Sequence, residues 1–257
     1  MLQHPTLDQL KNLKLHGMAR AFAEMRDNAQ ADELDHAQWL ALLLDREAGE
    51  RDDRRLTYRL RNAKLRHADA CVEDVDYRAP RRLDKALFQQ LARGKWIAQK
   101  QNLIITGPCG VGKSWLACAL GQKACRDDRS VLYKRVTRMF SELDMGRADG
   151  RYPRLFRALT KANLLILDDW GPERLTADQR RDLMEIVEDR YQNASIMITS
   201  QLPLESWHDI IGDPTFADAI LDRIVHNAHR INLDGPSMRK LKADKTRTPN
   251  IDQTEEK

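Results

Sequence analysis

The octapeptide Gly107-Pro108-Cys109-Gly110-Val111-Gly112-Lys113-Ser114 restricts this chain to few folds. A short apolar run, Asn102-Leu103-Ile104-Ile105-Thr106, precedes it, and Trp115-Leu116-Ala117-Cys118-Ala119-Leu120 opens a helix behind it. Strand, glycine loop and helix in that order are the context a phosphate-binding loop requires. Glycines let consecutive backbone N–H groups turn inward, and the helix start carries about half a positive charge. Residues Gly107 to Trp115 are therefore expected to cradle the phosphates of ATP, with Lys113 bridging the β- and γ-phosphates and the Ser114 hydroxyl ligating Mg²⁺.

A second signal follows 55 residues after Lys113. Leu164-Leu165-Ile166-Leu167 is a continuous apolar run of the kind buried on both faces of a parallel sheet, and it delivers Asp168 and Asp169 at its carboxyl end. Ligands of open α/β sheets sit beyond that end of the strands. Asp168 is expected to hold Mg²⁺ through water, and Asp169 to orient or deprotonate the attacking water. A turn that merely caps the next element is the competing reading. Farther on, Ser195-Ile196-Met197-Ile198-Thr199-Ser200-Gln201 reads as another buried strand. Ser200 either contacts the γ-phosphate or the water, or caps the turn before Pro203; both readings stay open. Arg223 has no apolar pattern to explain it.

The rest of the chain alternates strand and helix, which predicts an α/β fold: a parallel sheet with helices on both faces, preceded by a small all-α region. Residues 1–70 form the helical region, 71–246 the nucleotide-binding domain, and 247–257 a polar tail expected to be disordered. Apolar spacing predicts a helix over residues 5–28, with Gly17 as a bend or a junction between two helices, and another from about Asp35 to Ala63. Residues 136–143 and 152–162 read as helices interrupted by Gly146-Arg147-Ala148-Asp149-Gly150. Arg51, Arg54, Arg55, Arg59, Arg61, Lys64, Arg66 and His67, continued by Arg78, Arg81, Arg82 and Lys85, make a basic stretch. It is either a solvated helix face or a stripe for nucleic-acid phosphates. With 42% hydrophobic residues the chain can bury a core; no run of about eighteen apolar residues and no signal-peptide h-region is present, so a cytoplasmic protein is expected. The cysteines Cys71, Cys109, Cys118 and Cys125 lack metal spacing and are expected to be free thiols.

These elements together resemble the AAA+ ATPases of the initiator and helicase-loader group. Leu15-His16-Gly17-Met18-Ala19, Ser200-Gln201-Leu202-Pro203, Ala217-Asp218-Ala219-Ile220-Leu221-Asp222-Arg223 and Gly235-Pro236-Ser237-Met238-Arg239 look most like the IstB family, helper ATPases encoded beside the transposase of certain insertion sequences. The resemblance implies an AAA+ P-loop NTPase using ATP and Mg²⁺. It places Ser200 at the sensor-one position, Arg223 at the arginine finger that acts on a neighbouring subunit, and Arg239 at the sensor-two arginine. It further implies a ring- or spiral-forming homo-oligomer on double-stranded DNA, a transposase as client, and Lys134, Arg135, Arg138, Arg147 and Arg154 as DNA contacts. A replicative helicase loader of the DnaC type is the alternative; a small-molecule P-loop kinase would leave Arg223 and Arg239 without a role.

Overall fold

The computed structural model describes residues 4–27 and 34–240. The expected tail at 247–257, and the last residues of the domain expected to end at 246, lie outside the described residues. Contacts divide the chain into residues 1–58 and 59–257, within a helix, whereas composition had suggested a division near residue 70.

The first unit holds α1 (Pro5–Asn12), α2 (His16–Arg26) and most of α3 (His36–Ala63). The break between α1 and α2 falls around Lys14, which takes φ +60°, and not at Gly17. Gly17 instead lies in the first turn of α2 because α3 passes against it: a Cβ there would stand 2.7 Å from Arg46 O. Glu47, only 5% exposed, accepts from the backbone N–H groups of Gly17 (2.7 Å) and Met18 (3.2 Å) and from Arg51 Nε (2.7 Å). A side chain from α3 thus satisfies donors that α2 leaves open at its start. Burial pushes the Glu47 carboxyl up, but these hydrogen bonds outweigh it and hold the group below the usual carboxylate range.

The second unit starts with the end of α3, then α4 (Lys85–Ala92) and α5 (Lys95–Ala98). Next come β1 (Asn102–Thr106), α6 (Lys113–Arg126), β2 (Val131–Arg135), α7 (Val136–Ala148), α8 (Tyr152–Lys161) and β3 (Leu164–Trp170). The unit continues through α9 (Ala177–Arg190), β4 (Ser195–Ser200), a single 3₁₀ turn, α10 (Trp207–Ile211), α11 (Pro214–Val225) and β5 (Ala228–Asn232). All five strands are parallel, in the order β2-β3-β4-β1-β5. Leu103 to Ile105, Leu164 to Leu167 and Ile196 to Ile198 are buried throughout, which is why these runs show no alternation. Helix α9 starts on a capping box in which Thr176 and Gln179 satisfy each other's backbone N–H.

Two details of this unit position function. Asn102, 5% exposed, accepts from Ile196 N (2.9 Å) and donates to Arg223 O (3.2 Å), Ile224 O (2.9 Å) and Asn227 Oδ1 (3.0 Å). It therefore ties the amino end of β1 to the end of α11. Gly146 does not interrupt α7, which runs on to Ala148; a Cβ there would meet Leu155 Cδ1 at 2.7 Å, so the glycine lets α8 approach. Part of the basic stretch is paired within the chain. Arg51 and Arg54 pair with Glu47, Arg55 with Asp52, Arg59 with Asp128 and Arg82 with Asp234, while Lys85 lies over the Tyr77 ring. Arg61, Lys64 and Arg78 are exposed and carry no ion pair among the described residues.

Candidate nucleotide site

At the carboxyl end of β1 the chain turns through three glycines with positive φ, Gly107 (+146°), Gly110 (+83°) and Gly112 (+101°), a region in which a side chain would be strained. Val111, fully buried, anchors the loop, and Lys113 opens α6. Lys113 is 8% exposed, and its Nζ donates to Gly107 O (2.6 Å) and Pro108 O (2.9 Å). The ammonium is folded back over the loop that it would share with an anion. Burial pulls its pKa down; the charges of Asp168 and Asp169 oppose this and that of Arg239 adds to it.

Asp168, with none of its surface exposed, is the hub of the site. Its Oδ1 accepts from Ser114 Oγ (2.7 Å) and Thr199 Oγ1 (2.5 Å), its Oδ2 from Tyr133 OH (2.5 Å), and Arg66 stands 3.9 Å from Oδ2. Tyr133 is buried and bonded to this anion, which pushes its phenol well above the usual value. Asp169 takes φ +64° at an irregularity in the β3–β4 pairing between Leu167 and Trp170. Its amide donates to Thr199 Oγ1 (3.1 Å), while its carboxylate accepts from Arg135 Nη2 (2.5 Å) and Nε (3.1 Å) and from Gln201 Nε2 (3.3 Å). Burial raises the Asp169 pKa, but Arg135, Gln201 and the charge of Lys113 hold it below the ordinary range.

At the strand tip of β4, Ser200 takes the second of the two readings left open, that of a turn cap. Ser200 is fully buried, donates to Trp170 O (2.9 Å) and accepts from Leu202 N (3.0 Å), so its hydroxyl caps the turn. The side chains that reach the carboxylates are Thr199 and Gln201, on either side of it. The irregular pairing after Leu167 breaks the alternation by which the sequence would have told these residues apart.

Two arginines stand at opposite ends of the strands. After β5, Leu233 N donates to Thr106 O (2.8 Å) and Met238 N to Gly110 O (2.9 Å), so residues 233–239 strap over the phosphate loop of their own chain. Arg239 arrives close enough to bear on Lys113. Arg223 is held by Asn102 at the amino end of β1, and its guanidinium turns to Glu188 (Nε, 2.6 Å), with Cζ 5.9 Å from the centroid of Tyr191. Of the five expected DNA contacts, Lys134 pairs with Glu142, Arg135 with Asp169, and Arg147 with Asp144 and the buried Asp182 while lying 4.6 Å above the Tyr152 ring. These three have partners within the chain. Arg138 and Arg154 are exposed and carry no ion pair among the described residues. Trp115 is half-buried in the first turn of α6.

The donor set fits a nucleotide and a hard divalent cation. Ser114 and Asp168 meet at one point, and Mg²⁺ takes few protein ligands, so a cluster of three His, Cys, Asp or Glu side chains is neither needed nor found among the described residues. A parallel sheet of this order with a glycine loop at the end of β1, an acidic hub on β3 and a strap over the loop defines an AAA+ P-loop ATPase. Solved structures agree on the fold: DnaI aligns with a TM-score of 0.55 at 23% identity, covering 64% of this chain and 91% of that one. AMPPCP-bound DnaA of Aquifex aeolicus aligns with a TM-score of 0.54 at 17% identity, over 72% and 57%.

Residues 8–246 match the family model described as IstB-like ATP binding protein, and the chain belongs to that family. A protein of Sinorhizobium fredii named as an insertion sequence ATP-binding protein is 62% identical over 240 residues, 93% of this chain and 98% of the relative. One of Mycobacterium tuberculosis, named in similar terms, is 34% identical over 91% of this chain and 93% of its own length. Among the described residues no helix is long and apolar enough to cross a membrane.

Proposed function

We propose that this protein is an ATP-hydrolysing helper that assembles on double-stranded DNA and recruits or stimulates the transposase of an insertion sequence. The observation that carries the reading is the convergence of Lys113, Ser114, Asp168 and Asp169 at the carboxyl ends of the strands while Arg223 stands at the amino end of β1. Lys113 leaves its two carbonyls to pair with the β- and γ-phosphates, and the loop N–H groups fix their orientation. Ser114 and Asp168 hold Mg²⁺, which when bound neutralises charge developing on the phosphates. Asp169 orients the attacking water and accepts its proton, Gln201 helping to aim the carboxylate. Arg239 completes the site from its own chain. Arg223 serves the site of the next subunit, which makes the contact heterologous and the assembly a ring or a spiral.

DNA is proposed to lie along α7 and α8. Arg154, Arg157 and Lys161 are exposed at helical spacing on α8, with Arg138 exposed on α7. Contacts of this kind meet phosphates and carry little sequence information. The insertion-sequence names of the relatives favour a transposase as client over a helicase. The test is ATP-driven assembly and phosphate release with duplex DNA, together with pull-down of the transposase encoded alongside. Lys113→Ala should abolish ATP-dependent assembly; assembly unaltered in that variant would count against the site.

A further inference from the structure

By sequence Arg81 belongs to the basic stretch after α3, yet only 4% of it is exposed. Residues 80–82 run between the phosphate loop and the strap. Asp234 N donates to Arg81 O (3.2 Å), and a Cβ on Gly235 would overlap Pro80 O at 1.9 Å. The guanidinium lies against the loop itself: Nη1 is 2.9 Å from where a Cβ on Gly112, the residue before Lys113, would stand. Its partners do not match its charge. Nη2 donates to Asp76 O (3.0 Å), Nε has no acceptor, and among the described residues no carboxylate pairs with it. Burial pulls the pKa of Arg81 down, and the charge of Asp76 opposes that only in part.

A guanidinium taken out of water is costly unless an anion meets it. The neighbouring loop is shaped for an anion, and the planar fork of arginine matches phosphate oxygens in pairs. We infer that Arg81 is a nucleotide-binding residue whose guanidinium pairs with the polyphosphate held by Gly107 to Ser114. This rests on the phosphate-loop reading and adds to it a cation supplied from the segment before β1. Arg81 also links occupancy to the strap, because its backbone carries Asp234 while its side chain carries the ligand.

The experiment compares wild type, Arg81→Met and Arg81→Lys for affinity to ATP and ADP and for thermal melting with and without nucleotide. Arg81→Met is expected to bind both nucleotides about tenfold more weakly or worse. Without nucleotide it should melt no lower than wild type, since a buried unpaired charge has been removed, and the rise in melting temperature on adding ATP should shrink. Arg81→Lys should keep part of the affinity. Arg81→Met binding ATP and ADP as tightly as wild type would overturn the inference. So would both variants melting lower without nucleotide and losing affinity only in proportion to the unfolded fraction, which would make Arg81 structural. A wild-type protein that took no ATP would remove the phosphate-loop reading itself, a different result from wild type and Arg81→Met binding equally.

Discussion

Mixing two impaired variants should restore hydrolysis if Arg223 works across a subunit boundary. Asn102 fixes the Arg223 backbone at the start of β1, and the phosphate loop begins only after Thr106. The four intervening residue steps are about 13 Å of strand. The Arg223 side chain points away from the loop, toward Glu188 and Tyr191, so its own nucleotide is out of reach. Arg223→Ala should cost the fold little, because a half-exposed ion pair contributes under about 1 kcal/mol. Loss of an arginine acting in trans should lower turnover by about 10³-fold. Asp169→Asn keeps the phosphate grip, and so assembles, but should turn over slowly. In an equal mixture, a working site needs an intact Asp169 on one subunit and an intact Arg223 across the contact, a pairing met at roughly one contact in four for head-to-tail assembly. Phosphate release at saturating ATP and duplex DNA should therefore return to about a quarter of the wild-type rate. The reasoning fails if the mixture, shown by sedimentation to co-assemble, is no more active than the separate variants, or if Arg223→Ala alone turns over normally.

Further outcomes follow from the site and the surface. Asp169→Asn should bind ATP normally yet hydrolyse it at least about tenfold more slowly, measured as single-turnover phosphate release. Arg135→Ala removes a group that lowers the Asp169 pKa, so the acid limb of the hydrolysis pH profile should move to higher pH; an unmoved limb would detach Asp169 from proton transfer. Glu47→Ala leaves the Gly17 and Met18 amides unpaired and should destabilise the N-terminal unit by about 1–3 kcal/mol at neutral pH in denaturant melts. Because the Glu47 pKa is depressed on folding, that difference is present above the ordinary carboxylate range and is lost as pH falls through the depressed value. Reversing charge at Arg154 and Arg157 should weaken DNA binding and flatten its salt dependence, each lost phosphate contact removing about 0.9 from the slope of log K against log salt. A variant with unchanged slope would move the DNA elsewhere.

Lys113, Ser114, Asp168 and Asp169 were legible in the sequence because phosphate and metal chemistry demand those residues at those spacings beside recognisable strands. Tyr133, Thr199 and Gln201 were not. Their place depends on how β2, β3 and β4 register, and the irregular pairing at Asp168 and Asp169 shifts the alternation by which one strand-tip residue is told from the next. Gly17 and Gly146 illustrate a second blind spot. A glycine in a helical pattern looks like a break, yet both sit where another helix comes too close for a Cβ, α3 for Gly17 and α8 for Gly146. Arg147 shows a third: the sequence gives no sign of its pairing with Asp182, which lies 35 residues on and is brought to it only by folding.

The clamp made by Asn102 has a mechanical side. With its amide joined to α11, β4 and the approach to β5, it leaves little slack between the phosphate loop and Arg223, the two points that the proposed assembly would join from subunit to subunit. In a head-to-tail filament each subunit then behaves like a link of fixed length. Whatever pitch the filament takes is set at its joints, and one link's change of state reaches the following link as a tilt.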